Sequence, residues 1–327
     1  MKECVIGTKT VCEFCDPLII ADIGANFNGD TDIAKEMIVR AKEAGIDVVK
    51  FQSWKKETLM SACMYRDKPA DITEFGHKTL SEFIDFLSIS DAQLWEMKKY
   101  CDKHQIIFTS TPFSPHEVDV LVEMDVPFIK IASMDLNNYS FIEYIAKKNK
   151  PIILSTGMGS IEEIAKAVET VYSTGNKTLI LLHCTALYPP NDNEVNLNNI
   201  DYLREVFDCQ IGYSDHTIGY SIPLASVVKG ACVIEKHYTL DKSMLGWDHA
   251  VSATPEEFKI IAEESKINAV GFYSIHSICK RYKLKLKKTE DIVKKIKKKR
   301  HKVALTHFRD VSLRTTIKEK EFTQLLS

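Results

Sequence analysis

The sequence has no N-terminal apolar stretch of the secretory kind and no long uninterrupted apolar run. These absences argue against a signal peptide and a spanning helix. No complete glycine-rich phosphate-binding fingerprint occurs, and Gly24, Gly29 and Gly157 stand singly as turn residues. Cys12-Glu-Phe-Cys15 has the spacing of half a metal finger, but no second cysteine pair follows, so it reads as structural. With that pair, the nine cysteines are scattered at 4, 12, 15, 63, 101, 184, 209, 232 and 279. An odd, irregular set in a chain of this length suggests reduced thiols and a cytoplasmic protein. No aromatic stacking platform accompanies the basic residues, so nucleic acid is not an expected partner.

What is there is ordinary for a soluble globular chain of 327 residues, 45% hydrophobic and 27% charged. The net charge of −2 hides an asymmetry. Residues 280–302 hold 13 of the 43 basic residues and 2 of the 45 acidic ones, so the remainder has 30 against 43, a net of −13. Such a segment could meet an anionic surface. The plainer reading is a solvated helix lying on its own acidic body.

Eight short apolar runs recur in order. They are Leu18–Ile23, Asp47–Gln52, Ile106–Ser110, Pro127–Ile131, Pro151–Ser155, Thr178–His183, Gln210–Tyr213 and Ala231–His237. Patterns of helical spacing separate them, from 30–44 to 255–269, with a long polar connection after the second run. Continuous rather than alternating apolar strands imply burial on both faces and therefore a parallel sheet. Eight such units fit a closed (β/α)8 TIM barrel over residues 1–275 better than an open sheet. Sites in such barrels lie at the C-terminal strand ends.

Those ends carry Asp22, Lys50 with Gln52, Ser110 with Thr111, Lys130 with Ser133 and Asp135, Ser155 with Thr156, His183, Ser214 with His216, and Glu235 with His237. Two lysines and several hydroxyls around one mouth suit an anion bearing both carboxylate and phosphate. Asp22 and Asp135 read either as acid–base carboxylates or as ion-pair partners of the lysines. Ile211-Gly-Tyr-Ser-Asp-His-Thr217 and Cys232-Val-Ile-Glu-Lys-His-Tyr238 each end a buried run near a histidine. On neighbouring strands, His216 and His237 would make a divalent-metal site with open positions, or be two satisfied rim residues.

Eight motifs in register carry a resemblance. They are Asp22-Ile-Gly-Ala-Asn-Phe-Asn-Gly-Asp30, Val49-Lys-Phe-Gln52, Ser110-Thr-Pro-Phe113, Lys130-Ile-Ala-Ser133, Asn137-Asn-Tyr139, Leu154-Ser-Thr-Gly-Met158, His183-Cys-Thr185 with Tyr188-Pro189, and Gly212-Tyr-Ser-Asp-His-Thr217. From about residue 3 to 270 the chain resembles the N-acetylneuraminate (sialic acid) synthase family, with its legionaminic and pseudaminic acid relatives. The resemblance implies a TIM barrel that condenses phosphoenolpyruvate with an N-acetylated amino hexose such as N-acetylmannosamine. The products would be a nonulosonic acid and phosphate.

By the same resemblance, Lys50, Thr111, Lys130, Ser133, Ser155 and Ser214 would hold phosphoenolpyruvate, with Phe113 also among the substrate-binding residues. Gln52, Asp135, Tyr188 and Asp248 would face the sugar, and Asp22, Asp135 and Glu235 would be the catalytic carboxylates. His216 and His237 would bind Mn2+, with Mg2+ or Co2+ as alternatives.

The family usually has Glu at positions 22 and 135, and His at position 27 where this chain has Phe. It also carries an antifreeze-like C-terminal domain. Here 276–327 reads as a basic linker and a short remnant of that domain, so a homodimer weakened by the missing part is expected. Two other readings stand beside the synthase: a barrel that binds these ligands with weakened turnover and acts with a partner, and a 3-deoxy-octulosonate or heptulosonate phosphate synthase-like enzyme. The loop from Ser53 to Leu80 is expected to choose the sugar.

Overall fold

The computed structural model describes residues 4–67 and 75–271, with side chains described to Lys266. The chain divides into two units after Asn268, and the described residues fall almost wholly in the first. The expectation for 276–327 lies outside the described residues.

The strands are β1 (Cys4–Ile6), β2 (Lys9–Val11), β3 (Leu18–Gly24), β4 (Val48–Ser53), β5 (Ile107–Pro112), β6 (Ile129–Ile131), β7 (Ile152–Ser155), β8 (Leu179–Cys184), β9 (Gln210–Asp215) and β10 (Val233–His237). Strands β3 to β10 form one sheet in the order β5-β4-β3-β10-β9-β8-β7-β6, and every described pairing in it is parallel. Its two ends meet: Thr109 Oγ1 on β5 donates to Phe128 O, just before β6, at 2.8 Å. The result is the expected (β/α)8 barrel, nearly closed.

The interior explains how a site arises here. Leu18, Ile20, Val48, Phe128, Ile153, Ile180, Leu182 and Val233 form one buried cluster inside the barrel. Their neighbours in sequence, among them Ile19, Val49, Ile129, Ile152, Leu181 and Ile234, join the larger cluster between sheet and helices. Side chains alternate across a strand. The inward series therefore continues, two residues on, to Asp22, Lys50, Lys130, Ser155 and Glu235. The lumen is apolar at the N-terminal end and charged at the C-terminal end.

An antiparallel hairpin of β1 and β2 inserts Ile6 and Val11 into the lumen cluster and plugs its N-terminal end. Runs of three residues carry too little periodicity to announce this in the sequence. Beside it, Cys12 and Cys15 form a disulfide with Cα atoms 5.5 Å apart, which corrects the expectation of reduced thiols for that pair. A turn bonded from Cys15 N to Cys12 O brings the two within bridging reach. The polar connection after β4 also holds short helices, including Leu80–Leu87 ahead of Asp91–Lys103. The latter opens with a Ser90–Gln93 capping box. Among the described residues no helix is long and apolar enough to cross a membrane.

Gly212 on β9 shows how tightly the barrel packs. A Cβ there would lie 2.6 Å from Leu182 Cδ2 and 2.8 Å from both Val233 Cβ and Val233 O. Gly212→Ala should lower stability by about 1–3 kcal/mol through overpacking. The check is a urea midpoint that falls while the slope stays unchanged.

Candidate active site at the barrel mouth

Two lysines dominate the mouth. Lys50 and Lys130 are each only 2% exposed. Lys50 Nζ lies 2.8 Å from Asp22 Oδ1 and donates to Thr111 Oγ1 at 3.0 Å. Lys130 Nζ donates to Ser155 Oγ at 2.7 Å and Ile131 O at 2.9 Å, with Glu235 Oε1 3.5 Å away. Ser214 Oγ donates to the same Glu235 oxygen at 3.2 Å. Burial pushes the Lys130 ammonium below its usual range, and the Glu235 carboxylate only partly opposes this.

Asp22 joins the lysines to the histidines. Its Oδ2 accepts from Gln52 Nε2 at 3.1 Å and lies 3.5 Å from His237 Nδ1. Burial alone would raise its carboxyl, but Lys50 and His237 hold it below the ordinary carboxylate range. A register shift between Asp22 and Gly24, with Gly24 at φ +54°, turns the chain just past this residue. Asp22, one methylene shorter than the family's usual Glu, lies within reach of Lys50, Gln52 and His237.

His216 and His237 stack with ring centroids 5.5 Å apart, and Tyr188 stacks on His216 at 4.0 Å. His216 Nδ1 is 2.9 Å from Thr185 O. A carbonyl only accepts, so that nitrogen carries a proton, and in the neutral ring Nε2 keeps its lone pair. This is the tautomer a metal ligand needs. Among the described residues no three His, Cys, Asp or Glu side chains converge as a ready-made metal cage. A cation held by the two histidines would need its other ligands from water or substrate. Three atoms of the cluster, Asp22 Oδ1, Glu235 Oε2 and His237 Nδ1, are buried without a hydrogen-bond partner, the first being held by its ion pair with Lys50. Asp248 Oδ2 stands 3.8 Å from His237 Nδ1.

Ser133 lies at the same rim and accepts from Gly157 N at 3.0 Å. Asp135, on the 3-10 turn Ser133–Asp135, accepts from Asn138 Nδ2 at 3.2 Å. Burial raises its carboxyl above the usual range, the condition of a group that can hold a proton. Phe113, half-buried, packs edge-on against Trp54, with centroids 5.9 Å apart, at the edge of a satellite cluster. Phe27, where the family usually has His, is fully buried against Phe51 and reads as core.

The sequence reading missed Cys184, whose Sγ is 3.9 Å from His216 Nδ1. It also missed Lys236, paired to Asp215 behind the two histidines. A cavity of about 700 Å3 lies to one side, between Trp54–Glu57 and Asp85–Gln93. It is lined by none of the lysines or histidines named above, so the chemistry rather than the hollow marks the site.

Removing Asp22 leaves Lys50 as a buried uncompensated charge. Asp22→Ala should cost about 3–5 kcal/mol of stability at neutral pH. A carboxyl depressed on folding contributes stability above its unfolded pKa and loses it as pH falls through the folded one. The gap between wild type and variant should therefore close below the ordinary carboxylate value of about 3.9. Urea titrations at stepped pH check this, and a gap independent of pH contradicts it.

Comparison with known proteins agrees with this geometry. Residues 37–271 match the model of the NeuB family. The chain is 41% identical over 249 residues to N,N'-diacetyllegionaminic acid synthase of Campylobacter jejuni, spanning 76% of this chain and 75% of that protein. It is 38% identical over 240 residues to human N-acetylneuraminate-9-phosphate synthase, spanning 73% and 66%. The crystal structure of N-acetylneuraminic acid synthetase from Leptospira borgpetersenii, in complex with citrate, superposes with a TM-score of 0.74 at 31% identity, covering 84% of this chain and 90% of that one. The match covers the barrel and the strand ends from Lys50 onward, and on that ground the chain belongs to the NeuB family.

Proposed function

We propose that this chain is a carbon–carbon bond-forming synthase that joins phosphoenolpyruvate to an N-acetylated amino hexose, giving a nonulosonic acid and phosphate. The observation that carries the reading is the pair of buried lysines on the lumen, each within hydrogen-bond reach of a hydroxyl. A small ligand with a carboxylate and a phosphate can take one cation for each. Family membership narrows that ligand to phosphoenolpyruvate. A cytoplasmic location, expected from the scattered cysteines, and a homodimer, expected from the resemblance, go with this reading.

In this reading Lys50 with Thr111, and Lys130 with Ser155 and Ser214, bind and orient the anion with its C3 toward the histidines. A divalent cation, Mn2+ first, would be held by His216 and His237 and would supply Lewis-acid polarisation of the sugar's aldehyde oxygen. C3 attacks that aldehyde carbon. Positive charge then develops at C2, where Asp22 and Glu235 stabilise it electrostatically. Glu235, with one oxygen free of partners, takes the proton as water adds to C2; the C2–phosphate oxygen bond then breaks, C2 becomes a carbonyl, and the proton of its hydroxyl leaves with the phosphate. Asp135, raised by burial, supplies the proton to the new hydroxyl. Tyr188, Gln52 and Asp248 face the sugar.

The chain should release phosphate from phosphoenolpyruvate with Mn2+ and one member of a panel of N-acetylmannosamine, its 6-phosphate and 2,4-diacetamido hexoses. Mass spectrometry should find the matching nonulosonic acid. His216→Ala and His237→Ala should each abolish turnover, by about 100-fold or more for a lost metal ligand, with the circular dichroism spectrum unchanged. Phosphate release that needs no sugar, or none with any sugar, contradicts the reading.

A further inference from the structure

Behind the two histidines lies an ion pair that the reaction does not use. Asp215 and Lys236 side chains are both wholly buried, with Oδ2 and Nζ 2.5 Å apart. They belong to the outward series of β9 and β10, which continues from Tyr213 and Ile234 in the outer core. Their side chains therefore point away from the lumen. They face each other because Lys236 pairs with Asp215 in the ladder, next to Glu235 with Ser214. One more residue along each strand brings His216 beside His237.

Asp215 also organises the start of the loop after β9. Its Oδ1 accepts from Tyr213 Oη at 2.9 Å, Thr217 N at 3.2 Å and Thr217 Oγ1 at 2.9 Å. Lys236 Nζ also donates to the carbonyl of Thr217. His216 is thus flanked on both sides by residues tied to one buried carboxylate and one ammonium. Its ring is aimed by a third bond, from Nδ1 to Thr185 O.

A buried ion pair is poor glue, because desolvating two charges offsets most of their attraction. An apolar pair would hold the strands as well. Only a carboxylate with four lone-pair sites can take the hydroxyl of Tyr213, the amide and hydroxyl of Thr217, and the ammonium together. We propose that Asp215 and Lys236 are positioning residues, a clamp outside the barrel that locks the backbone at 215–217 and so fixes the tautomer and aim of His216 next to His237.

The test uses Asp215→Asn with Lys236→Met in one chain, which removes both charges together and leaves no buried ion unpaired. Thr217→Val provides a second variant that keeps the ion pair and deletes only the hydroxyl tie. The first readout is the imidazole nitrogen spectrum of the full-length chain labelled with 15N-histidine, with His216 assigned through His216→Gln. Wild type should show His216 as one tautomer with the proton on Nδ1. The double variant, and Thr217→Val to a lesser degree, should show both tautomers in exchange.

The second readout rests on the proposed synthase activity. In the double variant kcat should fall by about tenfold or more, the usual scale for a group supporting a metal-ligating histidine. KM for phosphoenolpyruvate should stay near the wild-type value, because the lysines are untouched. A merely structural pair would move stability without moving the tautomer. If His216 keeps its single tautomer in both variants, or if kcat is unchanged in an active enzyme, the proposal is overturned. If wild type lacks the synthase activity, that reading fails, and the nitrogen spectrum alone decides this one.

Discussion

Two ammonium groups at 2% exposure cannot sit in a barrel lumen unless negative charge sits with them, since an isolated buried ion costs far more than folding can supply. This constraint orders the mouth. Lys50 needs Asp22, and Lys130 needs Glu235. Each carboxylate is then available to a second neighbour: Asp22 to Gln52 and His237, Glu235 to Ser214. The lysines are tied to hydroxyls and carboxylates without being saturated. Glu235 keeps a free oxygen and His237 a free nitrogen. Such a network is preorganised for charge that arrives with a ligand or develops during a reaction.

The barrel supplies the constraint from below. Branched apolar residues fill the lumen up to a fixed level, and the β1–β2 hairpin closes the bottom with Ile6 and Val11. Above that level the alternation of strand side chains sends Asp22, Lys50, Lys130, Ser155, Ser214 and Glu235 to the same enclosed space. The opposite parity sends Asp215 and Lys236 behind the wall. One rule of strand geometry therefore separates the groups that meet a ligand from those that hold them in place.

Much of this was legible in the sequence. Eight buried runs of four to seven residues are a strong signal, and the polar residues at their ends point to the mouth. Buried β-branched strands leave little choice of register. The rest was not legible for physical reasons. A hairpin of two three-residue strands has no measurable period. The Cys12–Cys15 bridge depends on a turn that composition does not announce. Lys236 looked like one more charge in Glu-Lys-His, and only the pairing of β9 with β10 shows it opposite Asp215. At position 22, where the family usually has Glu, the shorter Asp lies 2.8 Å from Lys50 Nζ.

The central claim is that Lys50 and Lys130 together hold the phosphate- and carboxylate-bearing substrate. Calorimetric titration of phosphoenolpyruvate into wild type, Lys50→Ala and Lys130→Ala tests it most directly. Each variant should bind more weakly by about 1.5–3 kcal/mol, the scale of a hydrogen bond to a charged group. Wild-type affinity in both variants would mean that the lysines serve only their carboxylate partners, and would contradict the account.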